Sequence, residues 1–149
     1  MNQQADFAVY SPDERLQLIV EVKNKNGATA DWAAHMRRNL FVHSAVPNAP
    51  FFLLALPDRF YLWTHAPALP EATPPDYEID ATAIVAGYTD SPKLHLSEYS
   101  LELIVNSWLN NLINSDLTQE TAGPHEKWLF DSGLYEAIKD GSVKTAAPV

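Results

Sequence analysis

The chain has 149 residues, no cysteine, 46% hydrophobic residues and a formal net charge of −9. That length suffices for one domain with a real core, since chains near this size bury about 70% of their unfolded surface. The lack of cysteine excludes disulfides, thiolate metal sites and a thiol nucleophile, and is compatible with a reducing cytoplasm. No basic-then-apolar leader opens the sequence, and no apolar run reaches the roughly 18 residues that span a bilayer, so no membrane segment is expected.

The first elements lie in "ADFAVYSPDERLQLIVEVKNK", residues 5–25. The stretch alternates like two strands around Ser11-Pro12-Asp13-Glu14-Arg15, with proline suited to the second position of a type I turn. A two-residue loop at Asp13-Glu14 puts Ser11 opposite Leu16, Tyr10 opposite Gln17, Ala8 opposite Ile19 and Asp6 opposite Glu21. One face then collects Phe7, Val9, Leu16, Leu18, Val20 and Val22, fit for a core. Lys23 shares the other face with Glu21 and Asp6. Directly opposed residues hold their Cβ atoms roughly 4.5–5.5 Å apart, where two like charges destabilise the pair. Either one carboxyl stays protonated or a cation lies between them. A hard divalent ion such as magnesium prefers carboxylate oxygens, so the spacing favours a small metal site.

Asn26-Gly27 breaks the pattern, and a helix is expected over 30–44 with Thr29 or Asp31 near its N-cap. Ala33, Met36 and Leu40 form its apolar stripe, with Asp31, His35 and Arg38 on a polar flank. "VPNAP" ends it. "FFLLALPDRFYLW" reads as a strand buried on both faces, a Pro57-Asp58 turn and a second strand. A strand–helix–strand connection of this kind predicts parallel pairing and a mixed sheet.

Four prolines make 66–78 a surface loop, and Asp80–Tyr88 is expected to hold a short helix. Ser97–Ser115 is the clearest helix, capped by Ser97, with Leu101, Ile104, Val105, Trp108 and Leu112 on one apolar face. It is expected to cover the sheet face opposite the first helix. A last helix follows over 132–139 with Gly141 as its stop, and the tail from Ser142 is expected to fray. Trp63, Trp108 and Trp128 read as core or interface residues. His43, His65, His95 and His125 lack metal-ligand spacing, no glycine loop suits a phosphate, and no Gly-x-Ser-x-Gly elbow occurs.

Asp6 followed by Glu21-Val22-Lys23 on the next strand, with the helix and hairpin behind them, resembles the PD-(D/E)xK nuclease superfamily over about residues 5–65. Ala5 stands where the family's motif has proline. The resemblance implies a single restriction-endonuclease-like domain over 1–149, an α/β (α+β mixed-sheet) fold with helices on both faces. The helix that usually leads into this core has no counterpart ahead of Asp6, and Ser97–Ser115 is expected to replace it in part. The resemblance further makes Asp6, Glu21 and the carbonyl of Val22 ligands of magnesium or manganese, with Lys23 serving the attacking water. His35 and Arg38 become auxiliary residues.

Charge distribution bears on the substrate. Residues 1–65 hold six basic and six acidic residues, whereas 66–149 hold four and thirteen, which accounts for the whole −9. The site region is therefore neutral, but no basic stripe exists for tight DNA binding. Two functions follow as expectations: magnesium-dependent hydrolysis of DNA, or a non-catalytic module of the same fold that forms a homodimer or docks a partner.

Overall fold

The computed structural model describes residues 5–43, 46–65, 71–89 and 97–145. Apolar–polar alternation produces two antiparallel strands, β1 (Phe7–Tyr10) and β2 (Leu16–Val22), paired Phe7 to Val20, Ala8 to Ile19 and Val9 to Leu18. The expected register holds for these three pairs and fails at Tyr10, which faces Leu16 rather than Gln17. The turn explains the shift. Glu14 N–H donates to the Ser11 carbonyl and Ser11 N–H to the Arg15 carbonyl, so the loop has three residues, with Glu14 at a φ of 63°. A type I turn closed by a left-handed residue is the usual three-residue hairpin loop, and its extra residue is taken up as a bulge. Here Gln17 is the surplus residue, and Leu16 consequently changes face and packs beside Ile19 and Phe52.

Helix α1 (Ala30–His43) begins where the Thr29 hydroxyl accepts the Trp32 N–H at 3.1 Å. It connects β2 to β3 (Phe51–Ala55), which pairs parallel to β2; β3 then turns into antiparallel β4 (Arg59–Thr64). Within the expected proline loop, Tyr77–Asp80 instead forms β5 against β4, and the short helix α2 is confined to Thr82–Ala86. Residues 66–70 of that loop lie outside the described residues.

Helix α3 (Glu98–Ile113) is capped as expected: the Ser97 hydroxyl accepts the Ser100 N–H at 3.0 Å. The last helical region divides into α4 (Lys127–Asp131) and α5 (Leu134–Ile138) at Gly133, whose φ of 85° suits glycine. The expected frayed tail is instead strand β6 (Ser142–Thr145), antiparallel to β1. Gly141 makes that junction possible, because a Cβ there would stand 1.9 Å from the Tyr10 carbonyl oxygen.

The result is an α+β fold built on one mixed six-stranded sheet, ordered β5-β4-β3-β2-β1-β6. Helices cover both faces. On one, Ile19, Phe52, Leu54, Tyr61 and Trp63 pack with Ala33 and Leu40 of α1. On the other, Val9, Val20, Leu53 and Leu62 pack with Leu101, Val105 and Leu109 of α3, and Leu134 and Ile138 of α5. Each fully buried side chain of this kind contributes about 1.5–3 kcal/mol, so α3 is fixed firmly across the β1–β2 hairpin. No helix among the described residues is long and apolar enough to cross a membrane.

Candidate metal centre

Asp6 stands one residue before the β1–β2 ladder, where continuing the Phe7–Val20 pairing places it opposite Glu21. Its Oδ2 accepts the Val22 N–H at 2.7 Å, which ties the carboxylate to the β2 backbone. Glu21 lies on β2, between β1 and β3, and faces Leu54 across the parallel pair. Only 2% of it is exposed. Lys23 closes the group from the rim: its Nζ lies 3.7 Å from Glu21 Oε1, and its N–H donates to the Ala55 carbonyl. The residues singled out by spacing therefore do meet at the end of the hairpin.

Glu21 is an electrostatic problem. Its Oε2 is buried without a hydrogen-bond donor. Burial first, then a hydrogen bond shared with Asp6, then the Asp6 charge push its pKa up to about 8, with Lys23 acting in the opposite direction. Near neutrality, in the absence of a cation, the Asp6–Glu21 pair retains a proton.

A third carboxyl belongs to the cluster and was missed in the sequence. Glu102 of α3 is half-buried, and Asp6 disfavours its ionised form. Burial, Asp6 and then Glu98 raise its pKa to about 7, against the pull of Lys23. Glu98, one turn earlier, accepts the Asn24 N–H at 3.4 Å, so the start of α3 sits against the segment just beyond Lys23. The only local hint was a pair of acids at helical spacing beside Leu101; the proximity to Asp6 is set by chain topology.

The auxiliary candidates are placed differently. His35 is exposed, its Nδ1 2.8 Å from the Asp31 carbonyl oxygen, and Arg38 donates to Asn39 at 3.2 Å; both contacts stay within α1. Lys25 lies over the Trp32 ring at 5.4 Å. Among the described residues, no three carboxyl or imidazole groups already stand in a metal-coordinating arrangement. Asp6 raises the pKa of both Glu21 and Glu102, as expected of carboxyls that titrate together. The donor set itself suits a hard cation: carboxylate oxygens, one of them buried and unpartnered.

Compared with known proteins, the chain matches no family model, no curated protein and no solved structure.

Proposed function

We propose that this chain hydrolyses phosphodiester bonds of DNA in a magnesium- or manganese-dependent reaction, through a site of the PD-(D/E)xK type in a restriction-endonuclease-like core. The reading rests on one observation above all: Glu21 is almost wholly buried, with Oε2 unpartnered, beside a second carboxylate and a lysine. A fold stabilised only by packing has no use for that arrangement, since an unsatisfied buried acceptor costs about 1–3 kcal/mol. A divalent cation removes both the missing partner and the like-charge repulsion.

Asp6, Glu21 and the Val22 carbonyl would hold the ion. When bound, it polarises the phosphate and lowers the pKa of an attacking water. The chain's own contribution to the chemistry is Lys23. Its side chain is 26% exposed, so the ammonium is open to solvent while remaining beside Glu21. There it orients the water and stabilises the extra negative charge on phosphorus as the new P–O bond forms and the old one breaks. The leaving oxygen departs with a proton drawn from solvent. With no basic stripe in the sequence, DNA is held weakly and binding is strongly salt-dependent.

The test is cleavage by purified protein in magnesium or manganese against EDTA. Lys23→Ala is expected to lose most of the rate and keep metal binding. Equal cleavage by wild type and Lys23→Ala would assign the activity to a contaminant and reject the proposal.

A second reading, a non-catalytic module that dimerises or docks a partner, is favoured by Tyr99 and Leu103, 68% and 50% exposed and one turn apart on α3. It predicts metal binding without cleavage of single-stranded, double-stranded or branched DNA. It also predicts a homodimer by light scattering at micromolar concentration that Leu103→Glu converts to monomer. A wild-type monomer would count against it.

A further inference from the structure

The chain has no basic stripe to grip a phosphate backbone, yet one aromatic ring stands open on the side of the sheet that carries Glu21. Of the four tryptophans, Trp63, Trp108 and Trp128 are buried, whereas Trp32 is only half-buried in the first turn of α1. Lys25 Nζ lies over the Trp32 ring at 5.4 Å, and Lys25 itself is exposed, so that face of the indole turns to solvent. Glu21 pairs with Leu54 and lies two residues beyond Ile19, and both apolar residues belong to the α1-side core against which Trp32 packs. The chain between the lysines and the ring is pinned along its length. Lys23 N–H donates to the Ala55 carbonyl at 3.1 Å and Gly27 N–H to Asp58 Oδ2 at 3.0 Å. The Tyr61 hydroxyl donates to the Ala28 carbonyl at 2.7 Å, and Trp32 N–H to Thr29 Oγ1 at 3.1 Å. Lys23, Lys25 and Trp32 are thus held in a fixed order at one end of the sheet.

We propose that Trp32 is a stacking platform for one unpaired base of the substrate, with Lys25 holding the adjoining phosphate, so that the DNA taken up beside Lys23 is single-stranded. This rests on the phosphodiesterase reading above and names the form of DNA for that site. A cation over an exposed ring is held weakly, whereas a base stacks on an indole with its whole face. The base therefore displaces the ammonium, and the flexible stem of Lys25 lets it turn to the phosphate of the same nucleotide. An intact duplex offers no such face, because each interior base is already stacked on both sides. Asp31, next to Trp32 in sequence, and Asp58, bonded to Gly27, disfavour a bare phosphate backbone here. Affinity is accordingly expected to depend on the ring more than on charge, and to tolerate any base sequence, since every base has a π-face.

The experiment is done in EDTA, which separates strand binding from metal chemistry. A fluorescein-labelled single-stranded deoxythymidine oligonucleotide is titrated at low salt with the full chain as wild type, Trp32→Leu, Trp32→Phe and Lys25→Ala, and anisotropy is read. A blunt duplex of the same length is titrated in parallel. Trp32→Leu keeps an apolar side chain against the core and loses the ring, and is expected to weaken single-strand binding about ten-fold. Trp32→Phe keeps a π-face and is expected to lose less than about three-fold. Lys25→Ala is expected to reduce the salt slope by about 0.7, the share of one phosphate. Circular dichroism checks each fold. Should Trp32→Leu not fold, wild-type emission decides: Trp32 is the one tryptophan that is not buried, so an unlabelled strand must quench it and shield it from iodide. Binding by Trp32→Leu as tight as wild type, binding without quenching, equal affinity for the duplex, or no single-strand binding at all would each overturn the inference. None of these touches metal-dependent cleavage, which has its own test. Single-strand binding through Trp32 with no cleavage in manganese would instead uphold the subsite and reject the hydrolytic reading.

Discussion

Arg37 and Glu21 are equally hidden, 3% and 2% exposed, and their surroundings differ in kind. Arg37 lies on the α1 side of the sheet with its guanidinium over three rings, 4.8 Å from the centroid of Phe41, 5.5 Å from Trp63 and 5.7 Å from Phe52. Asp76 adds an opposite charge, although burial still draws the guanidinium pKa below its usual value. Every neighbour named there is favourable to a cation. Glu21 differs in the sign of its neighbours, with a like charge beside it and one lysine at 3.7 Å, whereas a buried side-chain atom without a hydrogen-bond partner is common to both, Oε2 in Glu21 and Nε in Arg37. A buried charge that the fold compensates belongs to the architecture. One that the fold leaves uncompensated calls for a partner from outside. Burial alone cannot separate the two cases; the sign and geometry of the neighbours can.

The widest separation between them is expected on truncation. Arg37→Ala removes the stem that fills the space between α1 and the rings, together with the cation–ring attraction. The expected cost is about 3 kcal/mol, or roughly 6–12 °C in Tm for a chain of this size. Thermal unfolding measures it directly. A loss below about 0.5 kcal/mol would mean that Arg37 is not compensated by its surroundings, and the contrast with Glu21 would collapse.

Much of this was legible in the sequence wherever the determinant was local. The alternation in β1 and β2 gave the pairing of Phe7, Ala8 and Val9, and with it the meeting of Asp6 and Glu21. The apolar stripe Leu101–Ile104–Val105–Trp108–Leu112 gave α3 and the face it covers. The bulge at Gln17 was not legible, because the left-handed turn residue is Glu14, with no glycine to announce a three-residue loop. Strands β5 and β6 were missed for a non-local reason. Tyr77–Asp80 and Ser142–Thr145 are short, and what makes them strands is a free edge, on β4 for one and on β1 for the other. Arg37 counted only as one basic residue among six. Its burial depends on where Phe52 and Trp63 fall, on strands 15 and 26 residues further along the chain. Glu102 was hidden in the same way, since its partner Asp6 lies at the opposite end of the sequence.

The smaller and more discriminating effect is expected at Glu21, with the opposite sign. Its folded pKa of about 8 lies above the ordinary carboxyl value of 4.5, so the folded state holds a proton that the unfolded chain has lost across that interval. Stability is then full below pH 4.5 and falls as pH rises towards 8. The groups facing Glu21 are Asp6 and Lys23, and Glu102 joins them through Asp6. The Glu102 pKa of about 7 slopes in the same direction, so the decline belongs to the cluster. Glu21→Gln cannot ionise and keeps the shape of the side chain. In EDTA it is expected to be more stable than wild type at pH 8, by on the order of 1–2 kcal/mol, and nearly equal at pH 5. Urea unfolding midpoints at pH 5, 6, 7 and 8 give the comparison. Manganese should reverse the order at pH 8, because it stabilises only the protein that retains the carboxylate; at one hundred times Kd that gain is about 2.7 kcal/mol. Parallel wild-type and Glu21→Gln curves in EDTA would show that the Glu21 charge is already compensated within the fold. It would then stand with Arg37 as architecture, and the case for a metal there would lose its foundation.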